Sequence, residues 1–183
     1  MNEIRIISFD PGTTTIGVSF FTINATSLEI IDIYTTLYDL SVTYVEDDSI
    51  EPLLSRLQEL YSRVLNDVIE FKPSFASIEN SFINRLRPGA FGPLSKSIGI
   101  IELAIIKAGV CCKIFKFAPK YIKKITTMNG TADKDSVLFG VRGIDEISSK
   151  VDLPLLSEHE VDSLATGYTL IKYLRENHHL LIT

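Results

Sequence analysis

Apolar and polar residues alternate with a short period at the start of the chain, which predicts three β-strands in succession. The first covers Ile4–Phe9 and the second covers Ile16–Phe21, and the turn Asp10–Gly12 separates them. β-Branched and aromatic runs bounded by proline and glycine are typical of a hairpin. A third run of this kind, Leu28–Leu37, follows. We therefore predict a three-stranded antiparallel meander.

A helical period replaces the strand pattern in the next part of the chain. Hydrophobic residues recur at spacings of three and four from Ile50 to Ile69, which predicts a long amphipathic helix with Ser49 as its N-cap. The other predicted elements are strands at Ser74–Glu79 and Val110–Phe117, helices at Leu94–Ala108 and Ala132–Val141, a short helical segment from Pro119, and a closing helix from Ser157 to Glu176.

The order of these elements predicts an α/β fold. The meander would be extended by two right-handed β-α-β crossovers into a five-stranded mixed sheet with helices on both faces. The 183 residues suffice for one sizeable core, so we expect residues 1–183 to form a single domain.

The composition indicates a cytoplasmic protein. No apolar run reaches the length of a membrane-spanning helix, and the first residues lead directly into a strand with no signal-peptide pattern. The only cysteines are Cys111 and Cys112. In the predicted fifth strand they would point to opposite faces, and we expect them to be buried free thiols, as suits a reducing compartment.

The charge is unevenly distributed along the chain. The net charge is −5, which by itself argues against a nucleic-acid partner. Between Asn84 and Arg142, however, there are eleven basic side chains and only three acidic ones. This basic middle on an acidic body could build a phosphate-binding surface, or it could be a solvated face without a partner.

Three carboxylates are predicted to meet at one edge of the sheet. Asp10 ends the first strand, Glu79 ends the fourth, and Asp162 lies in the first turns of the last helix, three residues after His159. Clustered carboxylates repel one another unless cations lie between them, and hard oxygen ligands suit Mg²⁺ or Mn²⁺. Two such ions about 3.5–4 Å apart can activate a water and stabilise the leaving oxygen of a phosphodiester.

Four segments, in this order, carry a resemblance to a known family. They are Ile7–Val18, Ala76–Phe82, Phe117–Lys124 continuing in Asn129–Lys134, and His159–Ala165. Together they resemble the motifs of the RuvC family of Holliday-junction resolvases, which have the ribonuclease-H-like fold. Ser8 stands where that family usually has glycine.

The resemblance implies a metal-dependent endonuclease that resolves four-way junctions by paired nicks, leaving 5′-phosphate and 3′-hydroxyl ends. Asp10, Glu79 and Asp162 would hold two Mg²⁺ ions, and Mn²⁺ could substitute. His159 would be the fourth ligand or would orient the attacking water. Glu160 or Glu158 could take its place as a ligand.

The resemblance also implies a surface for branched DNA. Lys134 and Lys123 or Lys124 would neutralise phosphates near the scissile bond, and a lysine there could stabilise charge in the transition state. Phe82 would contact the junction, where aromatic stacking on unpaired bases is worth about 1–3 kcal/mol. The other predicted contacts are Arg85 and Arg87 in the same loop, and Lys120, Lys123 and Lys124.

Paired symmetric cuts require a two-fold homodimer. The helix Leu94–Ala108 is apolar nearly all round, which makes it the candidate interface; the alternative is a helix buried within the monomer.

Three other functions compete with this interpretation. Asp10-Pro-Gly-Thr-Thr also resembles the first phosphate loop of the actin and Hsp70 ATPases, but those proteins need two such domains, and 183 residues hold one. A nuclease for other branched DNA or for RNA would have the same active-site motifs. A junction-binding protein without activity should lack one of the carboxylates, and none is missing here.

Overall fold

The computed structural model describes residues 3–41, 51–80 and 91–181. In these ranges the chain forms five strands, six α-helices and two short 3₁₀ helices. The strands are β1 Glu3–Asp10, β2 Thr15–Asn24, β3 Ile30–Asp39, β4 Phe75–Glu79 and β5 Lys113–Phe117. The helices are α1 Pro52–Phe71, α2 Phe91–Lys107, α3 Pro119–Thr127, α4 Lys134–Arg142, α5 Asp145–Ser148 and α6 Glu158–Glu176.

The strands form one mixed sheet in the order β3-β2-β1-β4-β5. β1 pairs antiparallel with β2, and β2 pairs antiparallel with β3. β4 joins β1 in parallel, and β5 joins β4 in parallel. This confirms the predicted meander extended by two crossovers, and it makes β1 the central strand.

Helices cover both faces of the sheet, as predicted, because successive side chains of each strand point to opposite sides. One core packs α1 and α2 against residues such as Ile7 and Phe9 of β1. The other packs α6, with α3 and α4 behind it, against residues such as Ile6 of β1 and Phe21 of β2. No helix in the described ranges is long and apolar enough to cross a membrane.

Both cysteines are free, as predicted, but the prediction that they are buried and lie in the fifth strand was wrong. β5 begins at Lys113, so neither cysteine lies in the strand, and Cys111 is exposed while Cys112 is only partly buried. Gly109 adopts φ 68°, and the amide of Cys112 donates to the carbonyl oxygen of Val110 at 2.9 Å. The chain therefore makes a tight turn where the apolar pattern suggested continuous strand.

Several helix boundaries also differ from those predicted. α1 begins at Pro52 with Glu51 at the N-cap position, and the predicted N-cap Ser49 lies outside the described residues. α2 begins at Phe91 rather than Leu94, because proline is tolerated in a first turn, where amides lack partners in any case. α4 begins at Lys134 rather than Ala132, since the Asp133 side chain caps it by accepting from the amide of Ser136.

Candidate active site

The ends of two neighbouring strands place Asp10 and Glu79 side by side. In the parallel pair of β1 and β4, Phe9 lies opposite Ile78, so the residues that follow continue the same row. Parallel strands end at the same edge of a sheet, and both carboxylates therefore leave that edge on the face that α6 covers. This is the arrangement that the sequence predicted for these two residues.

The first turn of α6 brings His159 and Asp162 to the same edge. Ser157 is the N-cap of a capping box in which its hydroxyl accepts from the Glu160 amide at 3.3 Å. In return, Oε2 of Glu160 accepts from the Ser157 amide at 2.9 Å. This reciprocal cap fixes where the helix starts, and it therefore fixes the height of the two site residues above the sheet.

Gly17 allows the helix to come this close. It lies opposite Asp10 in the β1–β2 pair, and a Cβ atom built on it would be 1.8 Å from the carbonyl oxygen of His159. Only a residue without a side chain fits there. Gly17 lies within the segment Ile7–Val18 that carries the resemblance, but no local pattern indicated its contact with a helix 142 positions later in the chain.

Burial and mutual repulsion set the protonation of the carboxylates. Burial, together with the charges of Asp10 and Asp162, raises the pKa of Glu79 to about 8. Burial and the charge of Asp10 raise the pKa of Asp162 to about 6, against the opposing effect of nearby Lys134. The charges of Asp10, Glu79 and Asp162 therefore repel one another, as is expected of a carboxylate cluster with too little positive charge nearby.

His159 lies next to the carboxylate cluster and is hydrogen-bonded to Asp10. Its Nδ1 atom lies 2.6 Å from Oδ2 of Asp10, and this hydrogen bond raises the pKa of His159 despite its partial burial. The raised pKa favours the imidazolium, whose Nδ1–H group donates the hydrogen bond to the carboxylate oxygen. His159 therefore lies beside Asp10, at a position where a cation would be favoured.

The two acidic alternatives for the fourth ligand are engaged elsewhere. Glu160 uses one carboxylate oxygen for the cap at Ser157, and the other accepts from the Thr35 hydroxyl at 3.0 Å. Glu158 pairs with the ammonium group of Lys134. His159 is therefore the alternative that the geometry favours.

The chemistry of this donor set fits a divalent metal, although the donors are not closed around one. Within the described ranges, no three side chains of His, Cys, Asp or Glu already stand close enough together to hold a metal ion. An ion held by Asp10, Glu79 and Asp162 would offset the repulsion among their charges.

The lysines predicted to bind DNA differ in how free they are. Lys134 and Lys123 lie near the cluster, since the charges of both lower the pKa of Glu79 against the effect of burial. Nζ of Lys123 donates to the carbonyl oxygen of Ala132 at 2.6 Å, while Lys120 and Lys124 on α3 are exposed. The predicted junction contacts Phe82, Arg85 and Arg87 lie outside the described residues.

We expect the metal affinity of this site to rise with pH up to about pH 8. Glu79, Asp162 and His159 all have raised pKa values, so the folded metal-free chain holds protons that the unfolded chain releases. The stability of the metal-free chain should therefore fall as the pH rises from the ordinary carboxyl range through about pH 8. Because a metal needs ionised ligands, its binding should release protons.

Melting temperatures with EDTA and with Mg²⁺, measured from pH 5.5 to about pH 8.5 around these pKa values, test this expectation. The increase in melting temperature caused by Mg²⁺ should become larger as the pH rises, and Glu79→Gln should weaken this dependence on pH. A gain that is the same at every pH would contradict the assignment of these groups to the metal.

Comparison with known proteins gives a consistent family. A family profile described as crossover junction endodeoxyribonuclease RuvC matches residues 6–170. A protein of that name from Rhodopseudomonas palustris (strain BisB18) is 31% identical over 134 residues, which cover 73% of this chain and 70% of the relative. A second, from Ehrlichia ruminantium (strain Welgevonden), is 28% identical over 146 residues, with 77% and 82% covered.

The fold has a solved counterpart. A structure titled as Thermus thermophilus RuvC in complex with Holliday junction substrate superposes with a TM-score of 0.74 at 23% sequence identity. The match covers 95% of this chain and 96% of the other. At this level of identity the superposition establishes the ribonuclease-H-like fold.

Proposed function

Because this chain belongs to the RuvC family of crossover junction endodeoxyribonucleases, we propose that it resolves four-way DNA junctions by paired symmetric nicks. The observation that carries the proposal is the group Asp10, Glu79, Asp162 and His159 at the shared edge of β1, β4 and α6. Partly buried carboxylates that repel one another raise the free energy of the folded chain, and binding a cation offsets that cost. The proposed enzyme is the single domain formed by residues 1–183.

The proposed cofactor is two Mg²⁺ ions, with Mn²⁺ as a substitute. Asp10, Glu79 and Asp162 would hold the ions, with His159 as the fourth ligand. The ions would supply Lewis-acid activation of the attacking water and stabilise charge on the leaving oxygen, so that the products carry 5′-phosphate and 3′-hydroxyl ends. The protein would keep its carboxylates ionised and in place at the edge of a rigid sheet.

Lys134 has the proposed role of holding the scissile phosphate. It stands at the first position of α4 beside the carboxylate cluster, and its ammonium group pairs with Glu158 in the free chain. A phosphate would compete with Glu158 for that ammonium group. Lys123, Lys120 and Lys124 extend the basic surface along α3 and would contact phosphates further away.

Lys134→Ala is expected to weaken junction binding and to lower the slope of log K against log salt by about 0.9, the contribution of one phosphate on duplex DNA. Binding titrations of a labelled junction in EDTA at several salt concentrations measure the slope. Lys150→Ala, at an exposed lysine after α5, is the matched control and should keep the wild-type slope. The same slope in Lys134→Ala would contradict this phosphate contact.

His159→Asp is expected to retain or raise Mg²⁺-dependent cleavage. A carboxylate oxygen is a harder ligand than imidazole and suits Mg²⁺ better. Cleavage rates across a Mg²⁺ titration measure the effect, and His178→Asp, at an exposed histidine, is the control. An inactive His159→Asp enzyme that still folds and binds the junction would mean that His159 is not a metal ligand.

The partners in this proposal are branched DNA and a second copy of the chain. On α2, Leu103 and Ile106 are 42% and 68% exposed, next to buried Ile101 and Ile105 that face the core. This apolar outer face supports a homodimer in which the two-fold axis matches the two symmetric cuts. Sedimentation velocity at micromolar concentration should give twice the 20.4 kDa chain mass, and a monomer would contradict the dimer.

The expected compartment is a bacterial or phage-infected cytoplasm, where such DNA occurs.

The experiment that tests the function is a comparison of substrates. A synthetic four-way junction, a Y-fork and a linear duplex are each incubated with EDTA, Mg²⁺ or Mn²⁺. Cutting of the junction alone, only with metal, is the expected result. Cutting of all branched forms would indicate a broader branched-DNA nuclease, and binding without cutting under any metal would leave a junction-binding protein.

A further inference from the structure

A row of three buried serines crosses the sheet beneath α6. Ser8 on β1 lies opposite Ser19 on β2 and opposite Ser77 on β4, and all three are fully buried. They occupy the same face of the sheet as Asp10 and Glu79, because side chains two residues apart on a strand point the same way. Buried hydroxyl groups are costly unless they are hydrogen-bonded, so their partners matter.

Each serine hydroxyl bonds to the site helix, and the hydroxyl of Ser8 is also shared with the carbonyl oxygen of Ser19 on the neighbouring strand at 3.3 Å. The Ser8 hydroxyl donates to the carbonyl oxygen of Ser163 at 2.9 Å, and the Ser77 hydroxyl donates to the carbonyl oxygen of Thr166 at 3.2 Å. Oγ of Ser19 lies 2.5 Å from Oγ of Ser163. These contacts connect three neighbouring strands to one turn of α6.

The direction of the bond between Ser19 and Ser163 follows from proton counting. Each hydroxyl has one hydrogen to donate. Ser163 uses its hydrogen on the carbonyl oxygen of Glu160 at 2.8 Å, so Ser19 is the donor between the two. Every hydroxyl in the row thus donates toward α6, and the shorter of the two contacts of the Ser8 hydroxyl is the one to that helix.

Ser8 and Ser77 of the row, and the partner Ser163, lie next to or two positions from the proposed metal ligands in the sequence. Ser8 precedes Asp10 by two positions, Ser77 precedes Glu79 by two, and Ser163 is the neighbour of Asp162. Two residues along a strand span about 6.6–6.8 Å. Hydrogen bonds have preferred directions and lengths, whereas an apolar interface at the same place would let a helix slide by fractions of a turn.

We propose that Ser8, Ser19 and Ser77 are positioning residues that fix α6 on the sheet and thereby set the spacing of Asp162 and His159 from Asp10 and Glu79. The inference rests on the proposed metal-dependent function, and it assigns these serines a role that is distinct from ligand binding. Partners that orient metal ligands commonly change metal affinity or activity by about 10–100-fold when they are removed.

The test uses Ser8→Ala and Ser8→Ala/Ser77→Ala in the full chain, with Thr169→Val as the matched control. Thr169 also carries a fully buried hydroxyl on α6, but this hydroxyl donates to the carbonyl oxygen of Ala165 in the same helix instead of connecting the helix to a strand. Mn²⁺ affinity is measured by the electron paramagnetic resonance signal of the free ion, without DNA, and cleavage kinetics are measured separately.

The expected result is a Mn²⁺ affinity about ten-fold lower in Ser8→Ala, and lower still in the double variant. The maximal cleavage rate should fall, the KM for the junction should stay unchanged, and Thr169→Val should match the wild type. Wild-type Mn²⁺ affinity in folded Ser8→Ala would overturn the positioning role alone. If Ser8→Ala does not fold, Ser77→Ala, which removes the longest of the three bonds to α6, is judged by the same criterion.

Failure of the proposed function would look different. If the wild-type chain itself bound no Mn²⁺ and cut no junction, the metal site and the positioning role would both be refuted. If it bound Mn²⁺ but cut nothing, the affinity comparison would still decide whether the serines position the ligands.

Discussion

Asp10→Asn is expected to lower metal-dependent junction cleavage by roughly a thousand-fold, the scale of losing a group that stabilises charge in a transition state. The substitution keeps the size of the side chain, and the amide oxygen can still accept from Nδ1 of His159, which lies 2.6 Å from Asp10 in the wild type. The substitution therefore changes only the charge at the end of the central strand. Glu79, Asp162 and His159 each interact with that charge.

Junction binding should survive this substitution, because the basic surface of α3 and α4 is untouched. The metal-free chain should also become more stable, since the charge of Asp10 contributes to the raised pKa of both Glu79 and Asp162. Removing a repulsive charge at an active site commonly exchanges activity for stability in this way.

Rates of junction cleavage, binding in EDTA and melting temperatures measure the three effects together. Asp32→Asn, an exposed carboxylate on β3, is the matched control and should change none of them. Near wild-type cleavage by Asp10→Asn would exclude Asp10 as a metal ligand. Loss of binding together with cleavage would indicate that the substitution acts on the DNA surface instead.

Gly17→Ala is expected to reduce cleavage by about a hundred-fold, the scale associated with displacing a reacting group by about 1 Å. The new Cβ would be 1.8 Å from the carbonyl oxygen of His159 and 2.9 Å from the Glu160 amide nitrogen. These are backbone atoms and cannot rotate away, so the start of α6 has to move. His159 would then leave its position beside Asp10.

Stability should fall as well, by about 1–3 kcal/mol, as for other overpacked cores. Urea unfolding measures this loss, and cleavage is compared under conditions where both proteins are folded. Gly143→Ala is the control, because Gly143 has φ −75° and its Cβ would meet only ordinary contacts from 3.4 Å outward. Wild-type rates in a folded Gly17→Ala protein would contradict the dependence of the site on this close approach.

The sheet and the position of the two strand carboxylates could be predicted from sequence because both follow from local patterns. Alternation marks the strands, and the rules for β-α-β crossovers then leave β1 and β4 as neighbours. Asp10 and Glu79 end those strands, so they had to meet at one edge. The same reasoning placed the last helix across that edge, since its hydrophobic stripe needs the sheet.

The contacts that refine the site could not be predicted, because they join residues far apart in sequence. The hydrogen bond between His159 and Asp10 spans 149 positions, and the bond from Ser8 to Ser163 spans 155. Ser8 was visible only as a departure from a usual glycine, with no indication of its partner. The pairing of Lys134 with Glu158 depends in the same way on how α4 packs against α6.

The turn before β5 escaped prediction for a local reason. Val110, Cys111 and Cys112 have the composition of a strand, but Gly109 in the left-handed region and the bond from Cys112 to Val110 bend the chain first. Strand propensity describes how side chains pack on a sheet, and these residues lie just before the point where the sheet begins.

The most direct test of the central claim is to map and religate the cuts made in a four-way junction whose four strands are each labelled. The proposed enzyme should make two nicks at symmetric positions on opposite strands with Mg²⁺ and none with EDTA. DNA ligase should seal them, because they would carry 5′-phosphate and 3′-hydroxyl ends. Scattered or single nicks, ends that ligase cannot seal, or cutting that persists in EDTA would contradict a two-metal resolvase acting as a symmetric pair.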